Sequence, residues 1–131
     1  MTDPAYRHRS EIGFAETDAS GWMHFPNAFL HFERAEHAFL RSKGLLVFDR
    51  AAGGWPRVHA SCDYRRPLVT GERIDVPLWI MRLGTSSVTW KFRINNATGE
   101  TCAEGDVTTV RVDGNGKPQP LTTDERQALG G

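Results

Sequence analysis

A single stretch of this 131-residue chain carries a long helical repeat, and the residues beyond it alternate like β-structure. After Asn27, the run AFLHFERAEHAFLRSKG sets Phe29, Phe32, Ala35 and Phe39 at helical spacing, and Leu30 and Ala38 widen the apolar surface. Asn27 is the expected N-cap, with Pro26 before it, and Gly44 the expected C-terminal cap. Residues 72–83 alternate through Ile74, Val76, Leu78 and Ile80, with Pro77 implying a strand near an edge or bulged. Residues 86–95 put Val88, Trp90, Phe92 and Ile94 on one face. Residues 57–66 and 101–112 read as two more strands, and 7–16 as a short first one. Asn96 to Gly99 reads as a hairpin turn, residues 45–54 as one helical turn and a loop, and the tail as holding a short helix. One long apolar helix beside a run of strands predicts an α+β fold, the helix packed on an antiparallel sheet of about five strands.

Size allows one domain, expected over 1–131 with its core at about 7–113 and a tail at 114–131. Lys plus Arg and Asp plus Glu both total 16, so the formal charge is zero and a long nucleic acid is not an expected partner. No apolar run approaches the ~20 residues of a membrane span. Residues 1–10 are polar and carry no secretory core segment, so the cytoplasm is the expected location. The two cysteines, Cys62 and Cys102, make no disulfide framework and read as strand packing.

The densest polar constellation precedes the helix: Glu16, Asp18, His24 and Asn27. A helix start offers unpaired N–H groups and the positive end of a dipole, which suit an oxyanion. Asp18, a few residues upstream, can fold back over the same spot. The two together would make the halves of a hydrolytic site. Asp18 equally reads as the cap of the turn TDASG. His24 is a candidate general base. His31, His37, Glu33 and Glu36 show no metal-ligand pattern, and no metal is expected. No GxSxG elbow, GxGxxG or P-loop occurs. Gly84 to Ser87 reads as a turn that could meet a phosphate.

The residues Phe14-Ala15-Glu16-Thr17-Asp18-Ala19-Ser20-Gly21, then Phe25-Pro26-Asn27 and Phe32-Glu33-Arg34-Ala35, resemble the signature of hotdog-fold acyl-CoA thioesterases of the 4-hydroxybenzoyl-CoA thioesterase type. Asp63 to Leu68 and Arg82 to Val88 resemble later segments of that family. The resemblance implies a long helix wrapped by a curved antiparallel sheet, paired into a homodimer or dimer of dimers with active sites at the subunit interface. It implies that Asp18 is the catalytic carboxylate, as nucleophile or as general base for water. The Phe25 backbone N–H would polarise the thioester carbonyl. Gly21, Trp22, Met23, His24 and Asn27 would line the substrate, with Phe29 and Phe32 deeper on the acyl side. Arg82, Thr85, Ser86 and Arg111 are the candidates for coenzyme A, which enters as part of the substrate; no cofactor is implied. Three positions depart from the family pattern: Glu16 at the first acidic site, Ala28 in place of the aromatic after Asn, and Phe25 at a common His or Tyr position. The alternatives are a non-catalytic acyl-binding module, a thioesterase acting on acyl-carrier-protein thioesters, and a dehydratase using Glu33 with His37 or Glu36 with His24.

Overall fold

The computed structural model describes residues 2–130. Its elements run β1 (Tyr6–Glu11), a 3-10 turn (Phe14–Glu16), α1 (Asn27–Ser42), β2 (Arg57–Tyr64), β3 (Arg73–Leu83), β4 (Ser87–Asn96), β5 (Thr101–Val110) and α2 (Thr123–Ala128). The five strands form one sheet in the order β1-β3-β4-β5-β2, every neighbour antiparallel. Strands β3 to β5 are successive hairpins, while β1 and β2 are the two edges. Register slips in the β3–β4, β4–β5 and β2–β5 pairs mark bulges, which bend and twist a sheet.

Helix α1 covers one sheet face. Its Phe32, Ala35, Phe39 and Leu40 are buried with Val76, Leu78, Val88, Trp90, Phe92 and Ile94 of the sheet in one core. The alternation of β4 is complete, because every second residue meets the helix and the rest face outward. Phe32 stacks on Phe92 at 4.9 Å between centroids, and Phe39 meets Trp90 edge-on at 5.9 Å. The Trp90 indole N–H donates to Thr109 Oγ1 at 3.0 Å, so the buried ring leaves no polar atom unpaired. Gly105 makes this packing possible: a Cβ there would lie 2.2 Å from the Ser61 carbonyl and 2.9 Å from the Phe32 ring.

Three local expectations are corrected. The first strand ends at Glu11; Ile12 is buried, and the chain then turns into the 3-10 segment with Phe14 exposed. Asn27 is not the N-cap. Pro26, already near helical at φ −65° and ψ −19°, holds that position, and Asn27 is the first helical residue. Residues 45–54 form turns without a helix, because the Asp49 carboxylate accepts the Ala51 and Ala52 amides and folds the segment locally. The expectation from Pro77 holds: β3 lies next to edge strand β1, with Pro77 opposite Arg7, and β3 is bulged between Ile80 and Arg82. The short C-terminal helix is present as α2, closed by a reciprocal Thr122–Glu125 capping box.

Candidate active site

The loop between the 3-10 turn and α1 is a small hairpin of its own. Thr17 bridges Met23, and the Asp18 N–H donates to the Trp22 carbonyl at 2.9 Å. Gly21, at φ +84°, turns the chain where a side chain would be strained. The Met23 N–H donates to the Leu68 carbonyl at 2.7 Å, which ties the hairpin to the β2–β3 connection. Asp18 Oδ1 accepts the Ser20 N–H at 2.8 Å and also the Ser20 hydroxyl. His24 Nδ1 lies 3.4 Å from Asp18 Oδ2. Ser20, through its hydroxyl and then its amide, holds the Asp18 carboxyl below the usual aspartate range, and His24 acts the same way. Asp18 is therefore a charged, partly open carboxylate at neutral pH.

The start of α1 stands beside it. Asn27 donates its backbone N–H to His24 O at 2.9 Å, and Phe29 to Pro26 O at 3.1 Å. Pro26 has no N–H. Between Met23 and Phe29, the Phe25 amide is left without an acceptor among the described residues. The Tyr64 hydroxyl fixes this residue by donating to the Phe25 carbonyl at 2.6 Å. Burial pushes the Tyr64 hydroxyl up to about 12, so it stays a donor. Trp22, Met23, Phe25 and Tyr64 line a groove of about 310 Å³ with the Arg65–Leu68 segment. A free amide, a helix start and a carboxylate beside an apolar groove are the parts an acyl-transfer site uses.

Glu16 works as a brace. Its carboxylate meets His31 Nε2 at 2.5 Å and Arg34 Nη1 at 3.2 Å. Its carbonyl accepts the His24 N–H and the Asn27 side-chain amide, both at 2.8 Å. Burial lowers the His31 pKa below the usual histidine range, so a neutral ring donates its Nε2–H to Glu16. One peptide and one carboxylate thus clamp the loop to the first two turns of α1. Asn27, His31 and Arg34 share one helical face, at intervals of four and three, which is the signal in the sequence that could have revealed the clamp.

Other candidate positions fall elsewhere. Arg82, Thr85 and Ser86 sit at the far end of β3, whereas the Asp18 loop sits by its beginning, where Glu11 pairs Arg73. At ~3.3 Å per residue the nine steps from Arg73 to Arg82 span about 30 Å, so one protomer does not bring the two sets together. Arg111 is withdrawn as a coenzyme A ligand. It is buried, its Nε donates to Glu125 at 2.9 Å, and its Nη1 donates to the carbonyls of Ala52 and Val112. It ties α2 and the 45–54 loop to the end of β5. Glu36 does not reach His24; its Oε1 accepts Arg57 Nη2 at 2.7 Å, and His37 Nε2 stands 3.9 Å from Glu33. Among the described residues no cluster suited to a metal occurs.

Residues 12–129 match the thioesterase-like superfamily. A putative esterase from Aquifex aeolicus is 34% identical over 87 residues, covering 65% of this chain and 68% of its own. A 1,4-dihydroxy-2-naphthoyl-CoA hydrolase from Synechococcus elongatus is 28% identical over 95 residues, 70% of each chain. The crystal structure of a 1,4-dihydroxy-2-naphthoyl-CoA thioesterase from Synechocystis superposes with a TM-score of 0.86 at 22% identity, over 95% of this chain and 94% of its own. That agreement is in the fold, a long helix on a five-stranded antiparallel sheet. The chain belongs to the thioesterase-like superfamily and is a thioester hydrolase of the hotdog fold.

Proposed function

We propose that the protein is an acyl-CoA thioesterase in which Asp18 supplies the carboxylate and the Phe25 N–H the oxyanion contact. The observation that carries this reading is the pairing of a charged Asp18 with an unaccepted Phe25 amide at the start of α1. In the general-base route, Asp18 takes a proton from water as its oxygen adds to the thioester carbonyl. The negative oxygen of the tetrahedral intermediate rests against the Phe25 N–H and the helix dipole. The C–S bond then breaks, and the proton held by Asp18 passes to the leaving thiolate, giving acid and CoA-SH. In the nucleophilic route the Asp18 oxygen itself adds and expels the thiolate, and water then cleaves the mixed anhydride. His24 adjoins Asp18 and can receive or return a proton in either route.

Trp22, Met23 and Phe25 form the wall where pantetheine and acyl carbon meet the site, and Gly21 keeps the backbone there free of a Cβ. Asn27 supports the helix start through Glu16 and does not need to touch substrate. The functional unit is a homodimer joined through edge strand β2, which is exposed along nearly its whole length. An antiparallel β2–β2 pair would set the Tyr64 end of one strand against the Arg57 end of the other. Arg82, Thr85 and Ser86, from the same end of the sheet as Arg57, would then serve the coenzyme A phosphates across the subunit boundary. Cytoplasmic residence fits the two free cysteines. The test is a panel of acyl-CoAs with a thiol-trapping chromophore: release of CoA-SH from at least one member is expected, and a panel with no release by folded protein would reverse the reading in favour of an acyl-binding module. Acyl-carrier-protein thioesters in the same assay separate the two carriers.

A further inference from the structure

The two carboxylate oxygens of Asp18 stand in different surroundings. Oδ1 accepts the Ser20 N–H at 2.8 Å and the Ser20 hydroxyl as well. A carboxylate oxygen offers about two lone-pair directions, so Ser20 alone fills this one. Among the described residues Oδ2 meets only His24 Nδ1, at 3.4 Å. That separation is longer than an ordinary N–H···O bond, and a lone pair of Oδ2 stays open on an exposed side chain. The Ser20 hydroxyl does not turn away freely. Its oxygen accepts the Trp22 N–H at 3.3 Å, so its proton is aimed at Asp18.

The loop does not need this hydroxyl to keep its path. Backbone bonds hold it: the Asp18 N–H donates to the Trp22 carbonyl at 2.9 Å, the Met23 N–H to the Leu68 carbonyl at 2.7 Å, and the His24 N–H to the Glu16 carbonyl at 2.8 Å. Gly21 supplies the left-handed residue that closes the turn. What Ser20 adds falls on the carboxylate. Two donors on Oδ1 fix the side-chain torsion of Asp18 and favour its ionised form. The hydroxyl is the larger influence on its acidity, and the amide follows.

Resting on the thioesterase reading, we propose that Ser20 is a positioning residue that ties up Oδ1 of Asp18 and so reserves Oδ2 as the reacting oxygen. In the general-base route a water O–H bond breaks, its proton goes to Oδ2, and the water oxygen bonds to the thioester carbon. In the nucleophilic route Oδ2 itself bonds to that carbon, and the C–S electron pair leaves with sulfur. Either way the carboxyl double bond settles on Oδ1. The Ser20 donors stay in place there through the step, so the surroundings of the carboxylate do not have to reorganise. His24 stands beside Oδ2, the oxygen that would carry the proton.

The experiment measures kcat, KM and the pH profile of kcat/KM on the best-cleaved acyl-CoA for native protein, Ser20→Ala and Ser20→Thr, with circular dichroism on all three. Ser20→Ala should lower kcat about tenfold, the worth of one positioning hydrogen bond to a charged group, with KM within about twofold of native. Removing the hydroxyl also lets the Asp18 carboxyl rise toward the usual aspartate range, so the acid limb of the profile should move to higher pH. Among the described residues His24 is the titratable side chain that faces Asp18, and it is present in all three proteins. Ser20 is exposed, so Ser20→Thr has room for its methyl, keeps the hydroxyl and should restore both kcat and the limb. Native kcat and an unmoved limb in Ser20→Ala would overturn the proposal. So would a loss in Ser20→Thr equal to that in Ser20→Ala, because the shape of the loop and not the hydroxyl would then be at work. Carbon-13 NMR titration of the Asp18 carboxyl reads the same contact without turnover, and its midpoint should be higher in Ser20→Ala than in the other two proteins. If native protein cleaves no thioester, the thioesterase reading fails on its own, and the titration still decides whether Ser20 holds the carboxylate. Equal midpoints in native protein and Ser20→Ala would discard that hold.

Discussion

Tyr64 shows how a residue without reactive chemistry of its own can set a reacting group. Its hydroxyl holds the Phe25 carbonyl at 2.6 Å, and Phe25 carries the free amide. Tyr64→Phe should therefore lower kcat about tenfold, the worth of one positioning hydrogen bond, with KM nearly unchanged. Native kcat in that variant would separate Tyr64 from the oxyanion contact. Glu36 makes a prediction of a different kind. Burial, opposed by Arg57, pushes its carboxyl up from 4.5 to about 7. The folded state thus holds this proton more tightly than the unfolded chain. Its contribution to stability is complete below pH 4.5 and is lost as pH rises through about 7. The interval corresponds to about 3 kcal/mol. Glu36→Gln should accordingly raise the melting temperature by several degrees at pH 8 and change it little at pH 4, as followed by circular dichroism. The same increment at both pH values would show that the carboxyl does not titrate in this range. Neither contact was visible in the sequence, because Tyr64 and Phe25 are 39 positions apart and Glu36 and Arg57 are 21 apart.

At the scale of elements, period decided what could be read. Helix α1 and strands β3 to β5 follow their apolar spacing closely, since each buries one face in a common core. Segments whose shape comes from single polar contacts did not follow it. Ile12 and Phe14 alternate like strand residues, yet only Ile12 enters the core, and the Glu16 N–H donates to the Gly13 carbonyl to close the 3-10 turn. The 45–54 loop takes its form from one Asp49 carboxylate. The Asp18 loop was legible as a motif, whereas the clamp that sets it shows only its helix half as a spacing, since Glu16 lies 15 positions from His31 and 18 from Arg34. Strand β2 carries the element-scale prediction. As an edge it leaves backbone donors and acceptors unpaired, and Val58 on it is 63% exposed. Light scattering at micromolar concentration should give twice the monomer mass of 14.7 kDa, or four times if two dimers pair. Val58→Glu should shift the population toward monomer by setting like charges near the two-fold. A native monomer would remove β2 as an interface.

Across the whole molecule, the sheet separates two chemistries by its length. One end carries the Asp18 hairpin, the start of α1 and Tyr64; the other carries the Arg82–Ser87 turn, Arg111 and α2. The outward face of the sheet between them is polar, with Lys91 and Arg93 both on Glu104 and Arg7 on Asp75. Such a face suits solvent; of the exposed apolar side chains, Trp22 and Phe25 lie at the Asp18 end and Val58 on the β2 edge, while Phe48 is exposed in the 45–54 loop and Met81 on β3. On the proposed β2 pairing, one protomer would be half of a site for a long substrate, holding the reacting carbonyl and needing its partner for the nucleotide. All of this chemistry depends on Asp18 acting on the thioester. The direct measurement is steady-state hydrolysis of the best acyl-CoA by native protein and by Asp18→Asn, with circular dichroism and light scattering on both. Asp18 is solvent-facing and its Ser20 contacts are local, so the variant should fold and assemble as the native chain does. Its kcat should fall by about 10² or more, the usual loss when a base or nucleophile is removed. Turnover within a few-fold of native, in a variant with native spectrum and mass, would take the catalytic role away from Asp18.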